Sequence, residues 1–274
     1  MEFLIAAGLL SLLGIFAGFS AGLLGIGGGA VLVPGIYYIL KHFGFSDVAM
    51  HVAVGTSLLT IVFTGTSSAL AHHKKGAVDV SILKQFLPGV VIGVLIGTYL
   101  SDLLPTEGLK IIFAGSQLAF GTYMILRTNK TNLVDALPKQ PYLTIFASLN
   151  AGLATMMGVG GGVQNVTFMT ICNVTIHKAI ATAAAIGPFI AAIGAAGFIT
   201  IGLDNANLPP YSLGYINFAA FACIILTSVA CAPLGAKLAH NLPVPTLKKY
   251  FAIFMLVIAA KMLLEIFTDF KVIG

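Results

Sequence analysis

Two clusters of glycine, GIGGG at residues 25–29 and GVGGG at residues 158–162, are the parts of this sequence best suited to chemistry. Each cluster follows a long apolar stretch and precedes a shorter one. Glycine permits a sharp chain reversal and a close approach of the backbone to a ligand. A helix that begins directly after such a turn presents free N–H groups and the positive end of its dipole, which favour an anion. Together the first and second glycine clusters predict a site for one small anion.

Uncharged polar side chains lie near both clusters and are candidate ligands for the same anion. Neutral donors suit a protein that must release what it binds. The same side chains could instead bond neighbouring helices, and isolated glycines could serve close helix packing. The predicted substrate-binding residues are Ser20, Gly25, Gly27, Gly28, Gly29, Thr56, Ser57, Asn150, Gly158, Gly160, Gly161, Gly162, Gln164, Asn165 and Thr182. Gln164 and Asn165 are the preferred candidates among them.

Other kinds of chemistry find little support. An enzyme acting within the membrane needs a nucleophile beside a base, or a metal cluster. No Ser or Cys has a base placed beside it in the sequence, and no carboxylate lies deep in an apolar segment. The histidines at 51, 72, 73 and 177 lie at segment ends, which predicts solvated or interfacial side chains. Neither glycine cluster leads into the Lys-Ser/Thr pair of a phosphate-binding loop. No catalytic residue, metal ligand or cofactor is therefore predicted.

The composition indicates which surroundings must hold these residues. Of the 274 residues, 58% are hydrophobic and 8% are charged, whereas a soluble domain carries about 25% charged residues. The apolar runs are long and lack the alternation of barrel strands, so we predict an all-α integral membrane protein with the lipid bilayer as its surroundings. The net charge of +5 comes from short basic loops and not from a basic stripe, so nucleic acid is not a predicted partner.

The pattern predicts ten helical segments, eight of them long enough for a bilayer core that requires about 20 apolar residues. The segments are 3–24, 29–41, 50–72, 77–102, 106–126, 142–157, 161–173, 178–202, 212–239 and 244–268. The second and seventh are the short ones. Both begin at a glycine cluster.

Three blocks of sequence recur in the same order and predict two transmembrane repeats, residues 1–126 and 142–274, joined by a cytoplasmic linker at 127–141. The glycine clusters recur at an offset of 133 residues, and AVGT at 53–56 recurs as AIAT at 179–182, an offset of 126. GTYLSDLLPTEGLK, which starts at Gly97, recurs as GAKLAHNLPVPTLK, which starts at Gly235, an offset of 138.

Basic loops predict how the chain is oriented in the membrane. HHKKG at 72–76, the linker, and the turn before Lys248 and Lys249 are predicted to be cytoplasmic, and both termini to lie outside. The loop after segment three is then inside, while its equivalent after segment eight, with Asp204, is outside. The halves are thus predicted to have inverted topology, an architecture in which secondary transporters bind substrate near the midplane.

At AGFSAGLLGIGGGAVLVP (17–34) and its counterpart AGLATMMGVGGGVQNV (151–166), the sequence resembles the TauE/SafE family of membrane permeases, also called the sulfite exporter family. The resemblance extends over essentially the whole chain. The second motif departs from the first, with Gln164-Asn165 and no proline equivalent to Pro34. The resemblance implies a multi-pass protein of a bacterial or archaeal cytoplasmic membrane (the cell inner membrane), associated with sulfite, sulfoacetate or other organosulfonates.

These observations together predict a secondary transporter of small sulfur-containing anions, with the substrate bound between the two glycine clusters. An anion channel, or a transporter of a non-sulfur anion, would use the same helix ends and is the alternative. The coupling ion (a proton or sodium), the direction of transport and the oligomeric state are open at the level of sequence.

Overall fold

A computed structural model gives the fold and describes residues 2–25, 27–126, 134, 136–238 and 244–273. Ten α-helices lie close to the ten predicted segments, which confirms the all-helical prediction. They are α1 (Glu2–Leu24), α2 (Gly29–His42), α3 (Ala49–His73), α4 (Val80–Leu103), α5 (Thr106–Leu126), α6 (Tyr142–Met156), α7 (Gly162–Ile171), α8 (Ile176–Gly202), α9 (Phe218–Leu238) and α10 (Val244–Ile273). Most of the predicted linker, at 127–133 and 135, and the turn at 239–243 lie outside the described residues.

Two small elements are absent from the sequence prediction. A 3-10 turn at Ser46–Val48 precedes α3, and a two-stranded antiparallel hairpin of β1 (Ser212–Leu213) and β2 (Ile216–Asn217) precedes α9. Gly214, between the strands, has a φ of 53°, which a tight hairpin turn requires. The hairpin lies against α3 and so sets where α9 begins.

Six helices in the described chain are long and apolar enough to cross a membrane by length and composition: α1, α3, α4, α5, α8 and α9. Their outer faces carry large apolar side chains, such as Leu4, which is 80% exposed, and Leu226, which is 79% exposed. Apolar surface of this extent is suited to lipid rather than to water. At 15 residues α6 is shorter. The chain is therefore a multi-pass membrane protein.

The two most central helices are α3 and α8. In the most apolar stretch of each helix, 83% of α3 is buried, against 28% of α1. These two helices pack on each other, and each also packs on a helix of the opposite half: α3 on α9, and α8 on α4. Around them, α1 pairs with α9, α4 pairs with α6, and α5 pairs with α10.

Glycines spaced four residues apart allow the two outer pairs to approach closely. Those on α1 that face α9 are Gly14, Gly18 and Gly22, and those on α4 that face α6 are Gly89, Gly93 and Gly97. A Cβ atom on Gly18 would lie 2.7 Å from the Ser228 Cα atom, and one on Gly97 would lie 2.8 Å from the Gly152 Cα atom. These glycines serve close helix packing, the role expected of isolated glycines in membrane helices.

Two histidines occupy surroundings unlike those predicted for segment ends. His72 is 1% exposed, and its Nε2 lies 3.0 Å from the Gly22 carbonyl oxygen. His51 is also buried, with Nε2 3.1 Å from the Ser101 carbonyl oxygen and its ring 4.8 Å from that of Tyr215. The prediction of solvated side chains is therefore wrong for both, because neighbouring helices cover these ends of α3.

Candidate functional site

A glycine in the left-handed conformation begins each of the two short helices. Gly28 caps α2 with φ 78° and ψ −10°, and Gly161 caps α7 with φ 66° and ψ 14°. Neither residue has a side chain that could accept hydrogen bonds from the first turn, so both helix starts are without a side-chain cap. Each helix therefore begins with N–H groups of the kind that bind anions.

The two glycine clusters lie directly against each other. A Cβ atom built on Gly27 would lie 3.4 Å from the Cα atom of Gly160, and one built on Gly29 would lie 2.9 Å from the Cα atom of Val159. Backbone thus meets backbone, and at Gly29 there is no space for a side chain. The structure brings together the two clusters that the sequence singles out.

Each cluster also contacts the central helix of the opposite half. A Cβ atom on Gly25 would lie 2.6 Å from the Ile180 carbonyl oxygen of α8, and one on Gly158 would lie 2.8 Å from the Val54 Cα atom of α3. Gly25 and Gly158 differ by 133 in residue number, and Val54 and Ile180 differ by 126. These are the offsets of the predicted repeat, so the two contacts involve residues that the prediction pairs.

Three predicted polar ligands gather at the start of α7. The Asn150 Nδ2 atom, on α6, donates a hydrogen bond of 2.8 Å to Oδ1 of Asn165. Asn165 is 1% exposed, and its Nδ2 has no hydrogen-bond partner. Gln164 is also buried, and its Nε2 has the Met157 sulfur as its neighbour at 4.0 Å. A thioether is a weak acceptor, so this amide is readily redirected.

The other predicted polar ligands make bonds of their own. Ser57 donates a 2.7 Å hydrogen bond to the Gly158 carbonyl oxygen and so lies beside the second cluster. Ser20 donates to the Phe16 carbonyl oxygen of its own helix at 2.7 Å. The structure therefore brings Ser57 to the paired clusters, while the hydroxyl of Ser20 is engaged within α1.

Thr56 and Thr182 each accept a hydrogen bond from the residue that caps a distant helix. The Thr56 Oγ1 atom accepts from the N–H of Asn217 at 2.9 Å, and the Thr182 Oγ1 atom accepts from the N–H of Asp79 at 3.0 Å. Asn217 precedes α9 and Asp79 precedes α4. Both threonines therefore fix the start of a helix, a role that the sequence alone did not indicate.

A narrow crevice, too small to hold a water molecule, adjoins the first cluster. Its lining consists of Ala21, Gly25, Gly27, Ile61, Gly65, Ser68, Ala184 and Gly187. Ser68, which the sequence analysis missed, donates a 3.2 Å hydrogen bond to the Ala21 carbonyl oxygen. Ile61, Gly65 and Ser68 recur at the i, i+4 and i+7 positions of one helix face. That spacing of small and polar residues is the signal that could have found this face of α3.

An ionic cluster holds the opposite end of α2. Lys41 pairs with Glu265 of α10, and the Nζ atom of Lys110, on α5, lies 3.4 Å from the same carboxylate. Lys110 is 2% exposed, and its Nζ atom lies 5.3 Å from the centre of the Tyr37 ring. The helix α2 is thus fixed at its start by glycine contacts and near its end by charge.

Within the described ranges, no three His, Cys, Asp or Glu side chains group as metal ligands. The polar side chains that contact the second cluster include the Asn150 and Asn165 amides and the Ser57 hydroxyl. Such neutral donors can bind an anion through hydrogen bonds and helix-end dipoles.

Comparison with known proteins gives consistent matches. The family model described as Sulfite exporter TauE/SafE matches residues 10–262. A probable membrane transporter protein of Haemophilus influenzae is 37% identical over 256 residues, which are 93% of this chain and 97% of that protein. One of Methanocaldococcus jannaschii is 23% identical over 86% of this chain and 88% of its own length. No solved structure matches the chain at a significant level.

Proposed function

This chain belongs to the Sulfite exporter TauE/SafE family, and from that premise we propose that it is a secondary transporter of small sulfur-containing anions. Sulfite, sulfoacetate and related organosulfonates are the proposed substrates. Its relatives are named probable membrane transporter proteins, and its own helices supply the spans that a membrane transporter requires.

The observation that carries the proposal is the meeting of two uncapped helix starts. The clusters that begin α2 and α7 contact each other, with Gly27 beside Gly160. Each helix start contributes a partial positive charge, equivalent to roughly half an elementary charge. An anion bound at this junction would be stabilised by both dipoles and by N–H groups of the first helical turns, without a basic side chain that would hinder its release.

Matched contacts support an inverted repeat as the architecture of the transporter. If α1–α5 correspond to α6–α10, then the pair α1 with α9 corresponds to α6 with α4, and the pair α3 with α9 corresponds to α8 with α4. Each of these pairs packs together. Exchanging the halves therefore preserves the packing, as a twofold relation between repeats requires. The two glycine clusters would then enter from opposite faces, and rocking of one half against the other would give alternating access.

Transport assays in proteoliposomes test the substrate class. We expect saturable uptake of sulfite or sulfoacetate and poor uptake of taurine, because the taurine ammonium group would meet positive helix ends with no carboxylate partner. Liposomes without protein provide the baseline. Preference for acetate over every sulfur anion would move the proposal to the non-sulfur alternative, and preference for taurine would contradict the anion site itself.

The same vesicles distinguish a carrier from the alternative anion channel. A secondary transporter should respond to an imposed proton or sodium gradient and should show counterflow, in which internal unlabelled substrate accelerates entry of labelled substrate. Uptake that does not saturate with substrate concentration and does not respond to internal substrate would favour the channel.

A further inference from the structure

The surroundings of the two glycine clusters differ between the halves. Around the start of α7 lie the amides of Asn150, Gln164 and Asn165. The two glycine clusters are 133 residues apart. The residues 133 positions before these three amides are Ala17, Val31 and Leu32, which are therefore their equivalents around the start of α2. These three are buried apolar residues. One helix start thus has amide donors beside it, and the other has hydrocarbon.

The unpartnered amide at the start of α7 is the observation that points to a ligand. Nδ2 of Asn165 is buried without an acceptor, and a Cβ atom built on Gly161, the cap of α7, would lie 3.3 Å from it. Buried donors are nearly always paired in proteins, so this one is a site for an acceptor that binds from outside the chain.

We propose that the site is one-sided: the anionic group binds at the α7 start, and the α2 start forms an apolar wall. This inference rests on the proposed function and specifies which residues select the substrate. The anion's oxygens accept from Asn165 Nδ2, from Gln164 Nε2 once it leaves Met157, and from the first N–H groups of α7. One anion binds at a time, in one orientation, even though the backbone of the two halves is matched.

Equivalent substitutions in the two halves provide the test. Asn165→Ala and Leu32→Ala both truncate a buried side chain at equivalent positions, but only the first removes a donor. We expect Asn165→Ala to weaken equilibrium binding of sulfite and of sulfoacetate by about tenfold to one hundredfold, the effect of losing a hydrogen bond to a charged group. Leu32→Ala and the volume-conserving Leu32→Met alter the apolar wall but remove no donor, so each should weaken binding clearly less than Asn165→Ala does.

A charge variant of the same size sharpens the result. Asn165→Asp keeps an acceptor for Asn150 and places a carboxylate where the anion binds, so binding should be lost while the protein stays monodisperse. Affinity is calculated for the folded fraction of each protein. Melting temperature and size-exclusion chromatography measure that fraction. If Asn165→Asp does not fold, the comparison of Asn165→Ala with Leu32→Ala decides by itself.

The outcomes separate the inference from the proposed function. If the unmutated protein binds neither sulfite nor sulfoacetate, the proposed function fails and the one-sided site fails with it. If the unmutated protein binds and Asn165→Ala binds equally well, the function stands and the one-sided site is wrong. Equal losses from Asn165→Ala and Leu32→Ala would indicate a symmetric site and would also overturn the inference.

Discussion

At the scale of single residues, Gly28 and Gly161 show why glycine occupies the helix starts. Both have positive φ angles, 78° and 66°, which side-chain-bearing residues adopt only at a cost. A Cβ atom on Gly28 would lie 2.7 Å from the Ala17 carbonyl oxygen, and one on Gly161 would lie 3.2 Å from Asn150 Nδ2. Backbone conformation therefore disfavours a side chain at both positions, and at Gly28 the backbone of Ala17 also leaves no space for one.

Gly28→Ala and Gly161→Ala should each lower the free energy of unfolding by at least about 1–2 kcal/mol, from backbone strain alone. Each should also slow transport, because the helix start must shift to make room for the methyl group. Thermal unfolding and initial uptake rates measure the two effects. Gly8→Ala and Gly115→Ala are the matched controls, since a Cβ atom there would have nothing within 4 Å. A Gly161→Ala protein that transports at the unmutated rate would refute the requirement for glycine.

At the scale of helices, α3 and α8 each hold the start of a helix from the opposite half. The α3 residue Thr56 accepts from the N–H of Asn217, whose side-chain oxygen in turn accepts from the N–H of Ala220 in α9. The α8 residue Thr182 does the same for Asp79, which caps α4. The hydroxyl that the sequence offers as a substrate ligand thus serves to align helices.

Thr56→Val and Thr182→Val test this assignment with side chains of nearly equal shape. Each leaves an N–H group at a helix start without its acceptor, which costs about 1–3 kcal/mol when the group is buried. We expect lower melting temperatures and an anion affinity close to that of the unmutated protein. Thr60→Val is the control on the same helix, because the Thr60 hydroxyl bonds only the Thr56 carbonyl oxygen one turn earlier. A tenfold loss of affinity at constant stability would instead support Thr56 as a substrate ligand.

At the scale of the whole molecule, the packing of ten helices is organised by contacts between the halves. The α1 helix packs on α9 and the α4 helix packs on α6, so each half contributes one helix to each outer pair. The central pair and the α5–α10 pair likewise take one helix from each half. These helix pairs form only when both halves are present. We therefore expect each half to require the other for folding.

Single cysteines at Ser81 and Asn207, in a protein whose native cysteines are replaced by alanine, test the inverted orientation. Both positions are exposed, one near the start of α4 and the other in the loop that precedes the hairpin before α9. A membrane-impermeant thiol reagent should label them from opposite faces of sealed vesicles. Permeabilised vesicles, in which both should react, provide the control. Labelling of both cysteines from one face would rule out inverted topology.

The sequence by itself determined the class of fold, the position of the ten helices and the location of the two breaks. These features depend on local properties: long apolar runs, glycines that permit positive φ angles, and the absence of charge. The sequence also singled out Gln164 and Asn165, where the second motif departs from the first.

Only the tertiary structure decided which polar groups are already engaged and which lack a partner. Thr56 and its partner Asn217 are 161 residues apart, and Lys41 and its partner Glu265 are 224 residues apart. The local sequence around each of these residues does not indicate its distant partner. The burial of His72 and the unpartnered amide of Asn165 likewise arise where separate helices close around a side chain. Local chemistry specifies what a residue can bind, and the packing of distant segments determines whether a partner is there.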